Sequence, residues 1–244
     1  NNTDVIIVAT SNGIYRSTDA GSTFINSFPS TNITDIEFHP TNNNIIYGAS
    51  YGNTSIYKSI DNGVNWFQAS TGLPSTSDVV RACVAVTPDN PDVVYSLFGD
   101  NDNGFYGLYK SLDEGNSWTQ QSNTPNLLGW SSNGSDIGGQ AWYDLALAVS
   151  PLNENIVFVG GVNCWKSTDS GQNWNINTHW YGDGGTEYMH ADEHMLKYNL
   201  LDNKIYSAND GGLYVSSDGI NWNDISDGLH ITQFYSLGVS QSVQ

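Results

Sequence analysis

The chain of 244 residues carries 7 Lys and Arg against 25 Asp and Glu, a formal net charge of −18, yet only 13% of its residues are charged, so the acidity comes from missing bases. Seven scattered cations cannot build the basic patch that displaces counterions from phosphates, which excludes a nucleic-acid binder and, by the same argument, an anionic membrane surface. An aromatic content of 12%, with 8 Trp and 14 Tyr, is too large an apolar load for a disordered chain.

Read from the N-terminus, the sequence is a succession of short β-branched runs bounded by turn residues, and no stretch keeps a helical period. The first unit opens on VIIVATSNG and continues into IYRSTDAGSTF. The second brings DIEFHPTNNNIIYGAS and then IYKSIDNGVNW, and the third ACVAVTPDNPDVVYSLFG and LYKSLDEGNSW. The fourth brings LALAVSPLNENIVFVGG and CWKSTDSGQNW, and the fifth HMLKYNLLDNKIYSAND and LYVSSDGINW. Each unit reads as strand, Pro/Asn turn, strand, short loop, strand, Asp-containing turn, strand, except that the first lacks its first strand. The aspartates of the recurring box, Asp19, Asp61, Asp113, Asp169 and Asp218, return every 42 to 56 residues. That is the size of a propeller blade, which buries its faces only by stacking on its neighbours. The predicted fold class is therefore all-β: a β-propeller of four-stranded antiparallel blades with Asp-containing turns, about five blades in residues 1–244. The boxes lie near 17–24, 59–66, 111–118, 167–174 and 216–222. In each box the aspartate is expected to accept hydrogen bonds from its own turn, the glycine to allow positive φ, and the terminal Trp or Phe to plug an apolar gap.

These segments resemble the Asp-box, or bacterial neuraminidase repeat, of sialidases, sortilin-type receptors and xyloglucanase-type propellers. Four boxes fit closely, with Phe24 in place of Trp in the first. The fifth, Ser216/Asp218/Gly219/Trp222, is one residue short between Asp and Gly. The resemblance implies that the five box aspartates are structural and lie away from the functional face. The stretches GGQAWYDLALAVSP, YMHADEHMLKY and ANDGGLYVSSDG look like secreted propeller proteins of Bacteroidota, many of which carry a type IX sorting domain. That likeness implies a secreted or cell-surface protein, with further domains of the same polypeptide or the secretion machinery as partners. The absence of an initial Met suggests a mature or trimmed product. The last segment, FYSLGVSQSVQ, matches a first strand. Either it pairs with the N-terminal segment and closes the ring, or the chain is a fragment of a larger propeller, which the blade number of relatives favours. Apolar runs such as Val5–Ala9 and Leu145–Val149 reach five residues, far below the ~20 that cross a bilayer, so no membrane insertion is expected. Cys83 and Cys164 read as two separate buried thiols.

Aligning the units on Pro40, Pro88, Pro151 and Leu200 puts Arg81, Asp144 and Glu193 at equivalent positions at the start of inner strands, pointing into one mouth of the funnel. Just upstream of Leu200, His190, Asp192 and His194 would share one face if the segment were extended. Two imidazoles and a carboxylate so placed could hold a divalent metal, but polar, hydrogen-bonded lining of the funnel is the favoured reading, and no cofactor is expected. Asp100–Gly104 fails the register of a calcium loop and reads as an ordinary turn, as does Asn209–Gly212. Trp130, Trp142, Tyr143, Trp180 and Tyr181 occupy long insertions outside the boxes, where flat aromatic faces suit sugar rings or merely cap loops.

A sialidase would hold its substrate carboxylate on three arginines, and the chain has only Arg16 and Arg81. Two readings remain. One is a non-catalytic binding or adhesion module for a glycan or an extracellular protein, using Arg81 and the five aromatics, and it is the primary expectation. The alternative is a glycoside hydrolase of xyloglucanase-like type, with Asp144, Asp192 and Glu193 as candidate carboxylates and Asp183 and Glu187 in reserve.

Overall fold

A computed structural model of the chain describes residues 4–29, 32–52 and 54–229. Among them lie twenty strands and one short 3-10 turn, Asp183–Gly185. The first sheet has three strands, β1 (Ile6–Thr10), β2 (Gly13–Ser17) and β3 (Ile25–Phe28), in that order. The second blade is β4 (Asn32–Phe38), β5 (Ile46–Tyr51), β6 (Ile56–Ser59) and β7 (Phe67–Gln68). The third is β8 (Val79–Val86), β9 (Val94–Asp100), β10 (Phe105–Ser111) and β11 (Thr119–Ser122). A single pairing of Tyr51 with Arg81 links these two blades edge to edge. The fourth blade is β12 (Ala146–Ser150), β13 (Asn153–Gly160), β14 (Cys164–Ser167) and β15 (Asn175–His179), extended by a two-residue parallel strand, β16 (Glu187–Tyr188). The fifth is β17 (Glu193–Tyr198), β18 (Ile205–Asn209), β19 (Gly212–Ser216) and β20 (Asn223–Asp224). The chain is thus a β-propeller of antiparallel blades, as the repeats predict. The segment FYSLGVSQSVQ, expected to supply a further inner strand, lies outside the described residues.

The boxes work through two devices, one local and one between blades. Locally, the buried Ser111 hydroxyl donates to Asp113 Oδ1 (2.8 Å) and accepts from the N–H of Gly115 (2.8 Å). The same Oδ1 accepts from the Ser117 N–H (2.8 Å), and Oδ2 accepts from the Ser117 hydroxyl (2.6 Å). The same pattern around Asp19, led by the Thr23 N–H, pulls that carboxyl down to about 2. In the four longer boxes two consecutive residues are left-handed, such as Ser170 (φ 65°) and Gly171 (φ 82°); in the short fifth box Gly219 alone is (φ 65°). Trp118, Trp174 and Trp222 are buried as expected, whereas Phe24 stays exposed.

Between blades, four box glycines press against the preceding blade. A Cβ on Gly63 would meet Ile7, on Gly115 Tyr47, on Gly171 Leu108 and on Gly219 Phe158. In the first four boxes the cation immediately before the box serine reaches the next box in turn. Arg16 Nε donates to the Asn62 carbonyl (2.8 Å), Lys58 Nζ lies 3.6 Å from Glu114, Lys110 Nζ donates to Ser170 Oγ (3.0 Å), and Lys166 Nζ donates to the Gly219 carbonyl (3.1 Å). Four of the seven cations are therefore struts between blades. Gly171→Ala is expected to lower stability by about 3 kcal/mol, because its Cβ would sit 2.1 Å from Leu108 Cδ2 in a packed core while adopting a left-handed backbone. Urea denaturation at neutral pH measures this, and a loss below about 1 kcal/mol would show that the interface yields freely.

The inner strands β4, β8, β12 and β17 surround two adjoining cavities. One, of about 390 Å³, is largely apolar and lies at the box end, among Phe38, Pro40, Pro88, Pro151 and Leu200. The other, of about 270 Å³, is more polar and includes Asp35, Arg81 and Met195. Glu37 and Lys197 line both and form an ion pair. Strands ending on a box serine run toward the box end, so the starts of the inner strands and the turns at 101–104, 161–163 and 210–211 lie at the opposite end, the mouth. Cys83 and Cys164 are free and buried in separate blades, and burial pushes both thiols up.

Candidate functional site

Two insertions, 123–145 and 180–192, build the mouth. Asn126 anchors the first: its Oδ1 accepts from the N–H of Phe105 (2.9 Å), and its Nδ2 donates to the carbonyls of Gly138 (2.7 Å) and Asp136 (3.1 Å). The 100–104 turn beside it is closed by Asp100, whose Oδ1 accepts from the N–H groups of Asp102 and Gly104, so this acidic run serves its own backbone. The insertion ends in a turn in which the N–H groups of Tyr143 (2.7 Å) and Asp144 (3.0 Å) bond the Gln140 carbonyl.

Arg81 grips that turn. Its Nη1 donates to the carbonyls of Ala141 (3.2 Å), Trp142 (3.4 Å) and Tyr143 (3.1 Å). Arg81, expected among the ligand-binding residues, thus has one guanidinium nitrogen engaged by backbone acceptors and positions the residues beside it.

Asp144 immediately follows. It is fully buried (0% exposed), and neither carboxyl oxygen has a hydrogen-bond donor. Its neighbour within hydrogen-bonding reach is another carboxyl, that of Asp192. Two acceptors so placed can bond only by holding a proton between them. Burial, and then the charge of Asp192, drive Asp144 up; burial, and then the charge of Asp210, drive Asp192 up. The pair titrates as one unit. Asp192 is half-buried, so it is the member of the pair that reaches the mouth. Gln140 Nε2 donates to its Oδ1 (3.3 Å).

Asp210 completes the cluster from the β18–β19 turn. It accepts from Tyr143 Oη (3.0 Å) and pairs with His194 Nε2 (2.7 Å), whose ring meets Tyr143 edge-on at 4.8 Å. Trp142, 56% exposed, lies 5.3 Å from the Tyr143 ring. No pattern local to Asn209–Gly212 announces this role, because that segment is a turn in its own blade. The clue available in sequence is its place in the unit, between the second and third strands, where every blade reaches the mouth.

The proposed metal trio does not assemble. Asp192 has φ 68°, a left-handed residue that breaks the extended alternation before β17 begins. His190 turns to its neighbour's carbonyl and packs on Gly211, while His194 goes to Asp210. Among the described residues no three His, Cys, Asp or Glu converge on a common point. Glu193 starts β17 as expected but does not face the mouth. It is buried beneath the mouth, bonded by the Ser207 hydroxyl and the Asn209 amide, and burial pushes it up to about 8. Asp183 accepts from Ser132 Oγ (2.6 Å), and Glu187 sits exposed on β16, so neither joins the pair.

The remaining aromatics form a separate group. Trp130, Trp180 and Tyr181 gather around His179, with Trp180 and Tyr181 perpendicular at 4.6 Å and His179 edge-on to Tyr181 at 4.3 Å. His179 Nε2 contacts the Trp130 carbonyl (3.2 Å).

No family model matches the chain. It is 26% identical over 201 residues to a xyloglucanase of Acetivibrio thermocellus, an alignment covering 69% of this chain and 23% of that protein. A solved ancestral GH74 enzyme superposes with a TM-score of 0.64 at 16% identity, covering 94% of this chain and 30% of that one. The GH74 xyloglucanase of Xanthomonas campestris gives 0.61 at 18% identity, over 88% and 35%. The extracellular domain of a putative one-component system of B. thetaiotaomicron gives 0.58 at 14% identity, over 88% and 26%. The chain thus spans about a quarter of the length of the curated relative it matches. The structural likenesses establish the propeller fold. No described helix is long and apolar enough to cross a membrane.

Proposed function

We propose that this chain is the substrate-handling propeller of a glycoside hydrolase acting on a neutral polysaccharide of the xyloglucan class. The observation that carries the reading is the Asp144–Asp192 pair: a half-buried carboxyl that reaches the mouth beside a fully buried carboxyl that has no other partner, the two sharing a proton. A proton stored in such a pair and passed to its mouth-facing member can protonate a departing glycosidic oxygen. Asp192 is the candidate acid, Asp144 positions its proton, and Asp210 is the second carboxylate of the two that glycoside hydrolysis uses. Trp142 offers a stacking face beside them. The 26% identity to a xyloglucanase supports the substrate class.

The cation struts favour a neutral substrate. With Arg16, Lys58, Lys110 and Lys166 engaged between blades and Arg81 on carbonyls, the mouth presents carboxylates and amides. A polymeric substrate places the protein outside the cell, in keeping with the Asp-box secreted propellers its repeats resemble, and the relatives' greater length leaves room for further domains to complete the groove. The test is release of new reducing ends from xyloglucan, mixed-linkage β-glucan and glucomannan, from acid to neutral pH. Cleavage of any of them supports the proposal. Retention of the polymer with no cleavage at any pH overturns hydrolysis and returns the chain to a binding module.

A further inference from the structure

The group around His179 is built with more care than a loop-capping cluster requires. Its members come from both insertions, Trp130 from one and Trp180 and Tyr181 from the other, and two fully enclosed polar side chains hold them together. Asn163 is 1% exposed; its Nδ2 donates to the carbonyls of Gly129 (3.3 Å) and Trp130 (3.0 Å), while its Oδ1 accepts from the Trp180 N–H (3.4 Å). His179 is 0% exposed; its Nδ1 accepts from the N–H groups of Tyr181 and Asp183 (both 3.4 Å), leaving Nε2 for the Trp130 carbonyl. Its ring lies stacked against Trp180, 29° between planes. The outer pair, Ser132 and Asp183, closes the two loops on each other. Yet the rings so fixed remain open to solvent: Trp130 43%, Trp180 42% and Tyr181 59% exposed.

Rigid, preorganised aromatic faces bind with little loss of side-chain freedom. The chemistry around them selects the partner. Between residues 119 and 196 the only cation is Lys166, and it bonds Gly219 at the box end, so the two insertions bring no Lys or Arg to receive an anion. The polar groups at the rim are the Ser132 hydroxyl, the Asp183 carboxylate and backbone amides, which suit hydroxyls. Each insertion that feeds this group also feeds the carboxyl cluster: Trp142 follows Trp130, and Asp192 follows Trp180. We infer that Trp130, Trp180 and Tyr181 form a second glycan-binding platform, separate from the carboxyl pair, which grips a distant stretch of the same neutral polysaccharide chain. This deepens the proposed function and rests on it for the identity of the polymer.

The test is affinity electrophoresis of the full chain in native gels containing xyloglucan, mixed-linkage β-glucan or glucomannan, with Tyr181→Ala and Trp180→Ala as variants. Each variant is expected to weaken retardation by at least one of these polymers about tenfold, with an unchanged melting temperature. Tyr181→Ala removes the most exposed ring, so it keeps the test valid if Trp180→Ala disturbs the loops. Wild-type retardation in both variants overturns the inference, as does a wild-type chain that none of the three polymers retards. Turnover is read separately: a chain that binds through Tyr181 but never cleaves sinks the hydrolase and leaves the platform standing.

Discussion

Replacing Asp192 by Asn is expected to lower the rate of polysaccharide cleavage by about 10²–10⁴-fold, the range that removal of a general acid produces. The fold should be untouched, because Asp192 is half-exposed and its only donor besides the shared proton is Gln140. Asp144→Asn is the more discriminating change. It leaves the acid in place but puts an amide N–H beside it, and a donor favours the charged form of a carboxyl. The pair then no longer needs a proton, so Asp192 releases its own at lower pH. The basic limb of the pH–rate profile should move toward acid by about one unit or more, with activity retained on the acidic side. Reducing-end assays across pH measure both variants. Full activity in Asp192→Asn, or a loss in Asp144→Asn that is equal at every pH, would remove the pair from the mechanism.

The parts of this architecture that sequence reveals are those encoded locally. A box carries its serine, aspartate, glycine and aromatic within eight positions, and their hydrogen bonds stay within the same turn, so five copies declare both the fold and the role of Asp19, Asp61, Asp113, Asp169 and Asp218. An Arg or Lys stands ahead of the box serine in four of the five. Its role as a strut is invisible because its partner lies one blade, some fifty residues, further on. The mouth follows the same logic. Alignment of the units places Arg81, Asp144 and Glu193 at the inner-strand starts, and the structure agrees on the positions. What two of them do depends on the neighbouring blade, since Arg81 finds the 141–143 carbonyls and Asp144 finds Asp192, whereas Glu193 is roofed over by Ser207 and Asn209 of its own blade. The metal trio failed on one backbone angle, since extended alternation cannot survive the left-handed Asp192. The five insertion aromatics were visible as a class, but their division into two groups follows from His179 and Asn163, buried residues with no motif of their own.

Glu193 supplies the largest expected effect on stability, and its sign is opposite to that of an ordinary surface carboxylate. Its folded value of about 8 lies above the 4.5 of an unperturbed glutamate, chiefly because burial penalises the charge. Below pH ~4.5 both folded and unfolded chains hold the proton, and the group is neutral to folding. Between about 4.5 and 8 only the folded chain holds it, so each pH unit lowers the unfolding free energy by about 1.4 kcal/mol. Across the window the loss is roughly 5 kcal/mol; above about 8 the folded chain ionises too, and the loss levels off. Glu193→Gln removes the titration while retaining a carbonyl oxygen for Ser207. The variant should match the wild type in urea at pH ~4.5 and exceed it by several kcal/mol above pH ~8, with a flatter stability profile between. A variant weaker than the wild type at every pH would instead mean that Glu193 is ionised and stabilising in the folded chain. The acidic composition then acquires a local meaning: carboxylates at the boxes stabilise the fold as anions, whereas burial favours the protonated forms of Asp144 and Glu193 at and beneath the mouth.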